Sequence, residues 1–153
     1  MRSTQAITLV EALVAVAIIG IILVFVMQTQ TLFFASARTS METTKATYLA
    51  EEGQELVRYL RDADWNQIAA LSTGSPHYFN VTGSGVTITS TPEVIDSRYT
   101  RSFTLTSLSR SASGDFVSSG GTSDTGSRVV TVDIDWNGTK VSLKGIVTNM
   151  HNI

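Results

Sequence analysis

The sequence predicts an α+β chain: one long N-terminal helix, its first half embedded in a membrane and its C-terminal half packed on a four- to five-stranded antiparallel β-sheet. Three observations carry that expectation. Residues 7–27, ITLVEALVAVAIIGIILVFVM, form an apolar run of about twenty residues, enough at about 1.5 Å rise per residue to cross a hydrocarbon core of roughly 30 Å. Beyond it apolar residues recur at three- and four-residue spacing, and after Pro76 the period changes to two. The organisation that follows is a short leader over residues 1–6, a membrane helix over 7–27, an amphipathic continuation and a short second helix over 28–71, and a sheet-forming head over 77–153.

Of the 153 residues, those not committed to lipid suffice for one small domain. A formal net charge of −2, with lysine confined to Lys45, Lys140 and Lys144, leaves no electrostatic footprint for general nucleic-acid binding. Serine and threonine make up about a quarter of the chain, well above ordinary usage, which suits a solvated surface. Without cysteine there is neither a disulfide nor a thiolate metal site, so the fold has to hold by packing.

The leader is polar, with Arg2 as its one basic side chain, and fits a cytoplasmic segment retained until cleavage. Within the apolar run the informative residue is Glu11. A carboxylate among Val10, Ala12, Leu13 and Val14 costs about 2.5–3.5 kcal/mol on insertion scales unless something neutralises it. A cut after Ala6 would give Ile7 a free ammonium at the positive end of the helix, one turn from Glu11. The two charges then compensate each other within one chain or between neighbours.

Ala6-Ile7-Thr8-Leu9-Val10-Glu11, followed by Ala12-Leu13-Val14-Ala15-Val16-Ala17-Ile18-Ile19-Gly20, resembles the class III signal of type IV pilins and pseudopilins. The family most often has Gly before the cut and Phe after it, where this chain has Ala6 and Ile7. The resemblance implies that a prepilin peptidase removes the leader between Ala6 and Ile7. It implies too that Ile7 is then N-methylated, that Glu11 is the assembly glutamate, and that Gly20 falls at a helix-loosening position. A pilin fold follows from the same likeness, with a single-pass position in the cytoplasmic membrane before assembly and a place in an extracellular surface filament afterwards. The implied partners are other pilin subunits, the prepilin peptidase/methylase and the pilus assembly platform. Residues 50–58 through Arg61-Asp62-Ala63-Asp64-Trp65 look like a run found in minor pilins, and the Tyr99-Thr100-Arg101 run and the Val132-to-Trp136 hairpin look like minor pilins and the related secretion pseudopilins. A major pilin and a type II secretion pseudopilin are the alternatives within the family.

Two readings compete from outside it. Ala35-Ser36-Ala37 has the small-x-small form that signal peptidase cuts, which would leave a soluble secreted remainder. Against that, the apolar run exceeds the usual ~7–15-residue core of a signal peptide and carries Glu11 near its start. The other competitor is a binding protein on a single-span anchor.

Phe34, Ala37, Met41, Tyr48, Leu49, Leu56, Val57 and Leu60 continue the helical period out of the membrane, giving a helix from Ile7 to Arg61 of roughly 80 Å. Arg38 with Glu42, and Arg58 with Asp62, sit four apart and add a few tenths of a kcal/mol each. Gly53 costs about 1 kcal/mol inside a helix. Either a sheet approaches closely over the stripe of Leu49, Gly53, Leu56 and Leu60, or the helix kinks there. Asp64, with Gln67 three residues on, is a capping box that opens the second helix, and Ser72 to Pro76 stops it.

Residues 78–81 and 86–89 flank Gly83-Ser84-Gly85 as a hairpin that Thr91-Pro92 ends. From Tyr99 to Leu108 the chain alternates again, Phe103 and Leu105 inward, Thr104 and Thr106 outward. Arg101 falls on the apolar face, so either the strand begins after it or a carboxylate, Glu93 or Asp96, meets it. Residues 111–127, rich in Ser, Gly and Thr, read as a mobile connection. Asn137-Gly138 between alternating runs specifies a two-residue type I′ hairpin in which Ile134 faces Val141, Val132 faces Leu143 and Asp135 meets Lys140.

No cofactor, metal site or catalytic group is expected, and no enzyme. His77 and His151 read as isolated surface histidines. Asp115, Asp124, Asp133 and Asp135 offer oxygen ligands for calcium but lack EF-hand spacing. Asn80 and Asn137 match the glycosylation sequon at chance level. Arg98, Arg101, Arg110 and Arg128 are either scattered solvated arginines or a local basic patch for DNA.

Overall fold

The structure, a computed structural model, describes residues 3–117 and 120–150, with side chains from Thr8 onward. The chain divides into two compact units, Met1–Glu42 and Thr43–Ile153, and helix α1 (Ser3–Ala63) runs through both. Proline is absent from the helix, and its glycines are Gly20 and Gly53. In the first unit every side chain from Thr8 to Ser36 is exposed. By length and composition the helix is able to cross a membrane.

In the second unit Asp64 leaves the helical region, with φ −164° and ψ 114°, and its carboxylate accepts from Asn66 N at 2.9 Å to cap helix α2 (Trp65–Ala69). The cap bond therefore goes to Asn66 rather than to Gln67 as a capping box would have it. An antiparallel sheet follows, of β1 (Pro76–Thr82), β2 (Gly85–Thr89), β3 (Glu93–Ile95), β4 (Tyr99–Arg110), β5 (Phe116–Val117), β6 (Thr122–Trp136) and β7 (Thr139–Thr148). Five of these lie in the order β2-β1-β4-β6-β7, while β3 and β5 pair with β4.

The sheet thus has seven strands, not four or five. The additional pair are β3 and β5, three and two residues long, too short to write a hydrophobic period. Strand β3 turns back through Asp96 and Ser97, both at positive φ (50° and 54°), with Arg98 N bonded to Ile95 O at 3.1 Å. Strand β5 and the first part of β6 occupy much of the run expected to be a mobile connection. Pairing there rests on backbone ladders and polar contacts, so no alternation of apolar residues announces it. The β4–β6 register shifts between Ser107 and Leu108, whose partners step from Arg128 to Asp124.

The β6–β7 hairpin turns at Asn137 (φ 46°) and Gly138 (φ 76°). Its register pairs Ile134 with Val141, Val132 with Leu143 and Asp135 with Lys140, as the alternation predicts. Phe103, Leu105, Val130, Val132 and Ile134 face a helical stripe of Ala46, Leu49, Ala50, Val57 and Leu60. Burial of each large apolar side chain stabilises by about 1.5–3 kcal/mol. Of the expected stripe, Leu56 is only half-buried, and of the residues expected to continue the helical period Phe34, Met41 and Tyr48 are exposed. The residues nearest the sheet are small. A Cβ on Gly53 would stand 2.7 Å from Val132 Cγ1 and 3.3 Å from Arg101 Cδ, so close approach is why this position lacks a side chain. His77 lies within β1, its Nε2 2.9 Å from Ser72 O and its ring 5.5 Å from that of Phe103.

Candidate functional site

In the first unit the candidate residues lie close together on α1. A spacing of four places Glu11 one helical turn beyond Ile7 along α1. The side chains of Ala6 and Ile7 lie outside the described residues, and so do the processing point and the pairing of the Ile7 amine with Glu11. Glu11 itself is exposed, among exposed Leu9, Val10, Leu13 and Val14. The next ionisable residue toward the C-terminus is Arg38, so in lipid no basic side chain of this stretch reaches the carboxylate.

In the second unit the polar residues within the core form a clasp between α1 and the sheet. Arg101 is 2% exposed. Its Nε and Nη2 donate to the two oxygens of Glu93, each at 2.8 Å, the bidentate geometry that suits guanidinium and carboxylate. Its Nη1 stands 3.1 Å from Glu52 Oε2 and donates to Leu49 O at 3.3 Å, while the guanidinium lies 5.3 Å from the centre of the Phe79 ring. Of the two possibilities open for Arg101, the strand does not begin after it; a carboxylate meets it, and that carboxylate is Glu93. The β3–β4 register places the two directly opposite each other. Asp96 pairs instead with Lys45 of α1. Burial works against the charge on Arg101, but the hydrogen bonds and charge of Glu93, and then Glu52, outweigh it and raise its pKa above the ordinary value.

Gln54, also buried, donates from Nε2 to Leu143 O at 3.0 Å and to Val130 O at 3.4 Å. Gly145 makes room for it, since a Cβ there would stand 2.8 Å from Gln54 Oε1. The helical period of the sequence assigns no contact to Glu52 or Gln54, although both lie in the run 50–58. A polar residue next to a helix glycine, on the same side as the apolar stripe, is the signal that was there to be read.

The remaining candidates are dispersed. Arg110 donates to Asp124 Oδ2 at 2.6 Å and to Gly114 O at 2.9 Å, and lies 4.2 Å from the centre of the Phe116 ring. Arg128 Nη1 lies within hydrogen-bond reach of the carbonyls of Asp124, Thr125 and Ser127. Arg101, Arg110 and Arg128 are thus held by groups of the fold itself. Hydrogen bonds from Ser127 and Arg110 hold the Asp124 carboxyl below the usual carboxylate range. Asp133 accepts from Ser142 at 2.5 Å and lies 3.4 Å from Lys140, which reaches Asp135 at 3.5 Å. Among the described residues no three of His, Cys, Asp or Glu converge as ligands for an ion. His151 lies outside the described residues. Arg38 meets Glu42 at 3.1 Å as expected, whereas Arg58 pairs with Glu55 rather than Asp62.

Compared with family models, with curated proteins and with solved structures, the chain finds no match in any of the three.

Proposed function

We propose that this chain is a structural, non-catalytic subunit of a type IV pilus or pilus-like filament, most like a minor pilin. In this reading a prepilin peptidase/methylase cuts between Ala6 and Ile7 and methylates the new amine. Residues 7–27 hold the subunit in the cytoplasmic membrane as a single span, and the assembly platform then extracts it into an extracellular filament. The observation that carries the reading is the lone Glu11 near the start of the otherwise uncharged apolar stretch 7–27, on a helix whose side chains are exposed from Thr8 to Ser36. A carboxylate so placed destabilises the isolated subunit in lipid. Docking against the Ile7 ammonium of a neighbour, in a low dielectric, offsets that cost and fixes the stagger between helices.

Mass spectrometry of the N-terminus on native material tests the processing step. The expected result is a mature chain that begins at methylated Ile7 and retains the whole helix. A chain that begins at Arg38 would establish signal-peptidase cleavage and overturn the proposal. An intact Met1 in cells that process their other prepilins would show that Ala6 impairs cutting and would overturn the processing step.

A further inference from the structure

The sheet ends in two strands that are paired on one side only among the described residues, β2 at one end and β7 at the other. Successive antiparallel steps from β2 through β1, β4 and β6 bring β7 back to the direction of β2. Each of these edge strands leaves a two-residue loop. The pairs flanking those loops, Thr82 with Gly85 and Trp136 with Thr139, are therefore of the hydrogen-bonded kind, and the kind alternates from there along each hairpin. On β2 this leaves the N–H and C=O of Val86 and Ile88 directed away from β1. On β7 it leaves those of Lys140, Ser142, Lys144 and Ile146 directed away from β6.

Side-chain direction differs between the two edges. Val86 and Ile88 are half-buried and pack against the core, so the outward backbone groups of β2 belong to core-facing residues. Lys140, Ser142, Lys144 and Ile146 are exposed on the opposite face, while Val141 and Leu143 pack on the core. In a parallel pair a residue bonds to the residues on either side of its opposite number, and opposite residues share a face. Lys144 set opposite Thr87 of another copy would bond to Val86 C=O and Ile88 N–H, with both side chains on the outer face. Both copies then carry α1 on the same face and in the same direction. An antiparallel β7–β2 junction would put the helices on opposite faces and reverse one copy. A β7–β7 junction would bring the lysines of one edge against those of the other, a destabilising arrangement of like charges, whereas β2 carries no charge.

We infer that β7 of one copy receives β2 of a second copy as a parallel strand, so that heads join head to tail in one continuous sheet. Such a contact is heterologous and leaves a free edge at each end, which permits open rows. The inference rests on the filament reading for its common membrane orientation, and adds to it the surface by which heads adjoin.

Because the chain has no cysteine, introduced thiols report this contact without background. Full-length Thr87→Cys and Lys144→Cys chains, both altered at exposed side chains, are co-expressed and their membranes oxidised. The mixed disulfide should exceed that of either variant alone by at least ~10-fold, because the contact raises the effective concentration of the two thiols. Cross-linking of Lys144→Cys to itself at equal yield, or no mixed cross-link when both chains are present at wild-type levels, would overturn the inference. Entry of Ile7-initiated subunits into filaments without the mixed cross-link refutes this head contact and leaves the filament reading standing. A mixed cross-link in membranes without filament entry does the reverse.

Discussion

Two lengths of one helix meet opposite surroundings. Between residues 43 and 63, Ala46, Leu49, Ala50, Gly53, Val57 and Leu60 are buried under the sheet, and they are smallest where Val132 comes nearest. Between residues 8 and 36, side chains as large as Leu13, Ile18 and Phe25 are all exposed. The polar residues divide in the same way. Arg101 and Gln54 are buried beside groups that satisfy them, whereas Glu11 is exposed among Leu9, Val10, Leu13 and Val14. The second unit is thus held by contacts made within it, while the first part of the helix, exposed throughout, is long and apolar enough to cross a membrane.

The largest effect should come from the clasp. Arg101→Met strands Glu93 without its cation, and loss of one partner of a buried pair costs about 3–5 kcal/mol. The thermal midpoint of the head, followed by circular dichroism in detergent, should fall sharply, and Arg101→Met with Glu93→Leu should recover part of the loss. An unchanged midpoint would show that the head does not depend on this pair.

Gly53→Ala should act less strongly. Overpacking against Val132 costs about 1–3 kcal/mol, offset by about 1 kcal/mol of better helix propensity. Adding Val132→Ala should relieve the clash, so that the double variant is less destabilised than the sum of the two single variants. Strict additivity would contradict the close approach.

The pH limbs are the smallest effect. Lys45 has its pKa raised by its hydrogen bond to Asp96. Lys140 has it raised by Asp133 and Asp135, against the desolvation that alone would lower it. Their contributions are complete below the ordinary lysine value of about 10.4 and are lost as pH rises through the raised values. Asp124 runs the other way: its contribution is complete above the ordinary value of about 3.9 and is lost as pH falls through the lowered one. Thermal midpoints measured against pH should show both limbs, with Lys140→Met flattening the alkaline one.

What was legible in the sequence follows the same division. The long helix and the β6–β7 register could be read because each is written in a strong local code, a sustained apolar run in the one and Asn137-Gly138 between alternating residues in the other. Strands β3 and β5 could not, because so few residues carry no period and their pairing depends on β4, supplied by another part of the chain. For Arg101 the alternation leaves open both a strand that begins after it and a carboxylate such as Glu93 or Asp96. Those acids stand three residues apart on a turn whose positive φ values at Asp96 and Ser97 only the fold reveals. At Glu11 the motif is plain, but the Ile7 amine that would meet that carboxylate lies outside the described residues.

Glu11 is therefore where the account is tested most directly. Glu11→Val and wild-type chains should be compared in the same cells, membrane insertion by fractionation and filament incorporation by immunoblot of sheared surface filaments. Removing the carboxylate lowers the cost of residence in lipid by about 2.5–3.5 kcal/mol on insertion scales, so insertion should hold or improve while incorporation falls. If Glu11→Val chains enter filaments as well as wild type does, Glu11 is not the assembly contact and the proposed mechanism is wrong.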